Sequence, residues 1–441
     1  MKAVSCSHSV APGQALNPEP NNLSHYKMES FFKVKRPDEV FKIIEQFGPS
    51  GEETIPLVDS LGRVLRQDLI SQEDLPHFAR TVVDGYAVRS RDTFGARESL
   101  PALLEISGEV LMGQDSGTGV REGQAIKIST GGMLPENADG VVMVEHCHLL
   151  DEKTLEISRS ISPLENIIQP GDDFKKGAPA LKKGHALRPQ DVGLLAGLGQ
   201  AAVSVYTKPK VAIISTGDEI LPINQQPQPG QVRDINRYTL GAFCRRVGAD
   251  PVHMGLCPDD FEALKGRVEK GLDQAETVWI SGGSSVGTKD LTLKVFETLQ
   301  DFELLVHGIS ISPGKPTIIG KSGSKPVIGL PGHVASALVV ADVFMTPLIS
   351  RLSGRSDSFK EFQTSIAAVL ARNIESASGR EDYIRVKLVQ EGETLTAEPI
   401  FGKSGLISTL VEADGLLRID MNTEGLYKGQ MVNVMVPGGI R

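Results

Sequence analysis

The sequence predicts a multi-domain protein of mixed α/β and β class. A central three-layer α/β domain with a parallel-type sheet is expected, together with a β-rich inserted domain and a C-terminal β-barrel-like domain. Three observations carry this reading. The chain has 441 residues, about three times the usual length of one domain. From Lys210 onward, strand-like runs alternate with helical ones, the pattern that builds a parallel sheet. On either side of that stretch the pattern turns to short β-like runs separated by turns.

Taken in order, residues 1–27 are rich in Ser, Asn, Pro and Gln and hold no apolar segment of signal-peptide type. They are expected to form a disordered tail, and Met28 is a candidate translational start. A helix is expected over Pro37–Phe47. The apolar spacing Ile55, Val58, Leu61, Val64, Leu65, Leu69 predicts another between Gly51 and Leu75, turned at Gly62 and ended by Pro76. Short β-like runs fill 76–164: Gly85–Val88, Leu103–Ile106, Ala125–Ile128, Val141–Val144 and Thr154–Ile157. Helical character returns at Pro189–Gly197, with Asp191 in the first turn, before a strand at Ala202–Tyr206. The 76–164 part therefore reads as an insertion into an elongated helical or linker domain formed by 28–75 and 165–207. The α/β domain is expected over 208–355, with strands VAIIS, Pro251–Gly255, TVWIS and VIGL. Its expected helices are Tyr238–Val247, Phe261–Gly271, Leu291–Leu299 and Ala335–Leu352. Alternating runs such as Tyr383–Val389 and Met431–Val436 mark 356–441 as a small β domain.

Lys plus Arg number 46 against 55 Asp plus Glu, a net charge of −9, which argues against nucleic acid as a partner. No run of about 18 uninterrupted apolar residues is present to span a membrane. The most apolar stretch, 327–349, contains Pro331, Gly332, His333 and Asp342 and reads as a core strand and helix. Cys6, Cys147, Cys244 and Cys257 lack CxxC spacing, so reduced thiols and a cytoplasmic location are expected. Glycine, at 46 residues, clusters at a few places, and the chemistry is sought there.

Three expected strands end in loops: Ile214 before Ser215, Thr216, Gly217, Asp218 and Glu219; Ile280 before Ser281; and Leu330 before Pro331, Gly332 and His333. Open parallel sheets bind ligands beyond such carboxyl ends. The loop Ser281, Gly282, Gly283, Ser284, Ser285, Val286, Gly287 precedes a helical run and can turn backbone N–H groups towards a phosphate, although it matches neither GxGxxG nor GxxxxGK[ST]. Asp218, Glu219, Asp234, Asp259, Asp260 and Asp290 supply carboxylates of the kind that hold Mg²⁺ beside phosphate. Each alone reads equally well as a solvated loop residue or a cap, Asp290 as the N-cap of Leu291–Leu299. Lys315, in Ser312-Pro313-Gly314-Lys315-Pro316, adds a positive charge on a stiff segment.

The runs VAIISTGDEI, RDINR, SGGSSVGTKD, SPGKP and GLPGHVASA, with TVVDGYAV and STGGMLPENADGVVMVE upstream, resemble the molybdopterin molybdenumtransferase family (MoeA and the gephyrin E domain) over essentially all of 28–441. The resemblance implies a four-part, elongated subunit that works as a homodimer, its site lying between the α/β domain of one subunit and other domains of the partner. It implies Mg²⁺-dependent insertion of molybdate into adenylylated molybdopterin, giving molybdenum cofactor and AMP. A molybdopterin adenylyltransferase and recipient molybdoenzymes are the implied partners. By matching position, Glu219, Asp259 and Asp290 are acidic site residues, Glu219 and Asp290 being the implied metal ligands. Gly282, Gly283 and Ser284 form the phosphate-proximal loop, and Pro331 and Gly332 line the same crevice. Asp84, Thr130, Asp173 of GDD, Arg380 of GREDYIR and Ser404 also match motif positions.

The sequence departs from the family pattern at several points. Ala79 stands where many members have an acidic residue, LPGNP reads LPGHV, an NVR reads Asn166-Ile167-Ile168, and Gly308 and Ser312 replace two lysines. Arg80 or His333 is expected to supply the missing positive character. A tungstate-inserting paralogue and a non-catalytic scaffold binding peptides through its C-terminal domain are the alternatives, with a molybdopterin-adenylylating activity a more distant one.

Overall fold

The structure is a computed structural model describing residues 34–49, 51–115, 117–282, 286–356 and 364–437, without the side chains of 286–290. The expected tail and Met28 lie outside the described residues. Five helices precede the last long one: α1 (Pro37–Ile44), α2 (Pro189–Gly197), α3 (Asn236–Arg246), α4 (Phe261–Gln274) and α5 (Val286–Glu297). Then α6 (Val334–Val340) runs through a π turn (Ala341–Met345) into α7 (Thr346–Leu352).

The central sheet has the strand order Asp250–Cys257, Lys210–Thr216, Thr277–Gly282, Lys325–Leu330, Ile318–Ser322, Phe302–His307. The first four strands run parallel, and Ile318–Ser322 pairs antiparallel with both Lys325–Leu330 and Phe302–His307, the last two strands being an addition to those expected from sequence. Side chains alternate across the sheet with period two. Val211, Ile213, Trp279 and Ile328 face α1, α3 and the α6–α7 helix, while Ala212, Ile214, Val278 and Ile280 face α4 and α5. With helices on both faces, the strands must be apolar without interruption, which is why VAII and VWI carry no polar residue. The Val334–Leu352 helix is long and apolar enough to cross a membrane, yet 78% of its most apolar window is buried in this core. Its one acid, Asp342, pairs with Arg246 of α3. Burial raises the pKa of Asp342, with Arg246 opposing the shift.

The inserted region forms a six-stranded sheet in the order Gly140–Met143, Gly85–Val88, Gln124–Ile128, Ala102–Val110, Thr154–Ile157, Cys147–Leu149. Apolar clusters cover both of its faces. At the C-terminus, strands Glu381–Glu391, Thr394–Pro399, Ser365–Leu370, Met431–Met435 and Gly415–Ile419 close into a five-stranded barrel, the last pairing back onto the first. Ile311–Ser312 of the α/β unit pairs in parallel with Glu381–Asp382 of the barrel, fixing one unit against the other.

The helix expected between Gly51 and Leu75 does not form. Glu52–Pro56 is instead a strand, paired antiparallel with Ala202–Tyr206. Ile55, Val64 and Leu65 are buried, whereas Val58 and Leu61 are 86% and 61% exposed. The spacing therefore never was a helical stripe, and a partner some 150 residues away overrode local preference. The Leu291–Leu299 helix also starts earlier, at Val286, which places Asp290 inside α5 rather than at its N-cap. Burial pushes the Cys147 and Cys244 thiols up to about 12, so neither is a ready thiolate.

Phe296 of α5 is fully buried against the ring of Phe302, their centroids 6.1 Å apart. Phe296→Ala should destabilise the α/β unit by about 3–5 kcal/mol. The single tryptophan, Trp279, is buried on the central strand, so the urea midpoint of its fluorescence change should fall. An unchanged midpoint would contradict this packing.

Candidate functional site

The site begins where Thr216 and Gly282 lie side by side at the carboxyl ends of two parallel strands. A Cβ on Gly282 would overlap the carbonyl oxygen of Thr216, so the approach requires glycine. Ser215 donates its hydroxyl to Asp234 Oδ1 at 3.0 Å, and the Arg237 N–H donates to the same oxygen at 3.0 Å. Asn236, at the start of α3, donates Nδ2 to Ser281 Oγ and to the Gly332 carbonyl, both at 2.7 Å. All three predicted loops are thereby drawn to one edge of the sheet. The buried residues Asn236 and Asp234 each keep one side-chain oxygen without a partner.

The carboxylates follow from the same edge. Thr216 Oγ1 donates to Asp259 Oδ1 at 2.7 Å, and the Asp259 N–H donates to Asp218 Oδ1 at 3.2 Å. Gly217 has φ 149°, and a Cβ there would sit 2.8 Å from Glu219 Oε2, so the glycine makes room for that carboxylate. Asp260 accepts the Ala263 N–H at 2.9 Å and is the N-cap of α4. Gly283, Ser284 and Ser285 lie outside the described residues, as does the side chain of Asp290; Gly287 falls in the first turn of α5. Among the described residues no three His, Cys, Asp or Glu side chains form a ready metal cluster. Mg²⁺, however, needs only one or two carboxylates when phosphate oxygens and water complete its shell. The oxygen-only chemistry of Asp218, Glu219 and Asp259, of which Asp218 and Asp259 are in contact, fits that requirement.

Next to this edge, a cleft of ≈ 960 Å³ separates the α/β unit from the barrel. Of the residues predicted from sequence, it is lined by Lys315, Pro331, Gly332, His333, Arg380 and Ser404. His333 Nδ1 lies 2.9 Å from Ser404 Oγ, and the Ala335 N–H donates to the Ser404 carbonyl at 3.1 Å, so the barrel loop is tied to the start of α6. Ser312, one of the departures from the family pattern, lines the cleft; Gly308, another, has φ 98°, a backbone that a lysine would adopt only under strain.

Sequence reasoning missed Arg385, which also lines the cleft and is 8% exposed. Its Nη2 donates to the Gly402 carbonyl at 3.0 Å, while Nε and Nη1 have no partner. Burial lowers its pKa. A buried guanidinium with two unpaired donor positions is costly until an anion meets it. Arg380, the arginine chosen from GREDYIR, is instead ion-paired with Asp382 at 2.9 Å. The missed signal was strand parity: Tyr383, two residues before Arg385, packs into the α/β core, so period two aims Arg385 the same way.

Asp84, Thr130 and Asp173 are not among the cleft-lining residues. Asp84 accepts the Thr130 N–H at 2.7 Å and the Thr130 hydroxyl at 3.1 Å, and these bonds, the backbone one foremost, lower its pKa. The Asp173 N–H donates to the Leu75 carbonyl at 3.0 Å. Arg80 is exposed on a short strand paired with Ile168 and also stands away from the cleft lining.

Carboxylates at the ends of parallel strands beside an arginine-bearing cleft define an enzyme-type site for an anionic small molecule. Three family descriptions match in series: MoeA N-terminal region (domain I and II) over 35–199, probable molybdopterin binding domain over 212–351, and MoeA C-terminal region (domain IV) over 367–436. The chain belongs to the MoeA family. A putative molybdopterin biosynthesis protein of Methanocaldococcus jannaschii is 33% identical, covering 86% of this chain and 91% of its own. The molybdopterin molybdenumtransferase of Haemophilus influenzae is 32% identical, covering 89% and 96%. The crystal structure of the molybdopterin biosynthesis MoeA protein from Pyrococcus horikoshii OT3 superposes with a TM-score of 0.80 at 30% identity, covering 92% of this chain and 100% of that one.

Gly282→Ala should misalign Thr216 and Ser281 and lower the stability of the α/β unit by about 1–3 kcal/mol, read by the Trp279 transition. Wild-type stability would show that the strand ends do not approach this closely.

Proposed function

We propose that this chain is a molybdopterin molybdenumtransferase that inserts molybdate into adenylylated molybdopterin with Mg²⁺, releasing AMP and molybdenum cofactor. The observation that carries the reading is the buried Arg385, with two unpaired donor positions in a cleft beside the carboxylate-bearing strand ends. In this reading Arg385 and Ser404 grip the oxyanion, and the Ser281–Gly287 loop at the start of α5 cradles the phosphate. Asn236 holds Ser281 and the Gly332 carbonyl in register, so that the two ligands meet at a fixed spacing. Glu219 and Asp290, with Asp218 or Asp259, would hold Mg²⁺, which when bound neutralises charge on the phosphoanhydride. Thr216 fixes the orientation of Asp259 by holding one of its oxygens.

The same reading takes the protein as a cytoplasmic homodimer, in which Asp84, Thr130 and Asp173 reach the site of the partner subunit. It divides the chain into 28–75 with 165–207, 76–164, 208–355 and 356–441. A molybdopterin adenylyltransferase that supplies the substrate and molybdoenzymes that receive the product are its partner classes.

The test is AMP release from adenylylated molybdopterin with Mg²⁺, titrating molybdate and tungstate in parallel. Oxyanion-dependent release is expected, and the ratio of the two responses names the metal. Arg385→Ala, Glu219→Ala and Asp290→Ala should each lower kcat/KM by about 100-fold or more. Folded protein that releases no AMP with either oxyanion would turn the reading towards a scaffold, and wild-type rates in the variants would overturn the site assignment.

A further inference from the structure

We propose that His333 acts as a pH-dependent cation of the cleft, so that a dianion binds more tightly as the imidazole protonates. This rests on the reading of the cleft as the oxyanion site. His333 lines the cleft and is exposed to it from the last position before α6. Its Nδ1 lies 2.9 Å from Ser404 Oγ on the opposite, barrel side, which leaves Nε2 for a ligand. In the neutral ring protonated at Nε2, Nδ1 accepts and the Ser404 hydroxyl donates to it. In the charged ring both nitrogens are donors. Nδ1–H then donates to Ser404 Oγ, and the hydroxyl hydrogen is released for another acceptor. One protonation therefore adds a charge to the cleft and frees a second donor beside it.

The surrounding charges make the effect readable. Lys315 faces the cleft from the α/β loop, and Glu375, Arg380, Asp382, Tyr383 and Arg385 face it from the barrel; Lys403 is adjacent to Ser404 in the same loop. Arg380 is taken up by Asp382. Of these side-chain types only imidazole changes charge between about pH 6 and pH 8. Arg80, the other residue expected to supply positive character, is absent from the cleft lining.

The experiment is calorimetric titration of the full chain with molybdate alone, at about pH 6 and about pH 8, at constant ionic strength. Wild-type affinity should rise about 3- to 10-fold on acidification. His333→Asn should bind with the wild-type high-pH affinity at both values. His333→Lys, checked for folding by Trp279 fluorescence, should bind at the wild-type low-pH level at both. A pH slope that persists in His333→Asn, or a flat wild type that still binds, overturns the role of His333 while the cleft assignment stands. Absence of molybdate binding to the wild type at either pH overturns the cleft reading and this proposal with it.

Discussion

The amide of Asn236 is the constraint on which the site depends. It is 9% exposed, and its one nitrogen donates to the hydroxyl of Ser281 and to the carbonyl of Gly332. Ser281 belongs to the strand that leads into the glycine loop, and Gly332 to the turn that opens α6. A buried amide that spends both protons on two loops sets the spacing between them, because losing either bond would strand a polar group away from water. From Gly332 the connection continues through His333 to Ser404 of the barrel. Two polar bonds, joined by the Gly332–His333 peptide, thus run from α3 to the opposite wall of the cleft, and the carboxylates of the neighbouring loop are placed by the same strand ends.

The barrel would not hold its side of that cleft through side chains alone. The parallel pairing of Ile311–Ser312 with Glu381–Asp382 adds backbone bonds between the units, and the Tyr383 side chain extends the α/β core into the first barrel strand. That strand is the one that carries Arg385. The apolar anchor at Tyr383 and the guanidinium two residues later share a face of the strand, so the packing that docks the barrel also presses Arg385 into a poorly solvated position. Its unpaired donors are therefore a consequence of docking, and an anion in the cleft would relieve them.

How much of this was legible follows from which interactions are local. The runs VAIIS and TVWIS announced a doubly covered sheet because both faces had to be apolar, and the loops after them followed. Glu52–Pro56 was not legible: its partner, Ala202–Tyr206, is remote in sequence, and the spacing of Ile55, Val58 and Leu61 imitates a helix although only Ile55 of the three is buried. Arg380 and Arg385 both line the cleft, and Arg385 was not legible because a motif shows which residues are present and not which arginine keeps its donors unpaired. The joining role of Asn236 was equally hidden, since an asparagine in RDINR carries no mark of the two distant loops that it ties together.

The net charge of −9 and an anionic ligand are compatible because the two act over different distances. Exposed charges separated by more than a Debye length, about 8 Å in physiological salt, are largely screened from one another. Arg385 is screened far less, being buried, and acts at contact range in a region of lower effective dielectric. The acidic surface disfavours polyanions, while in the proposed reading the desolvated guanidinium of Arg385, with a lysine and an imidazole at the same cleft, would select a small anion able to enter it. Selectivity of this kind comes from depth rather than from total charge, and a pocket formed between two folded units can supply that depth where an open loop on a basic surface would not.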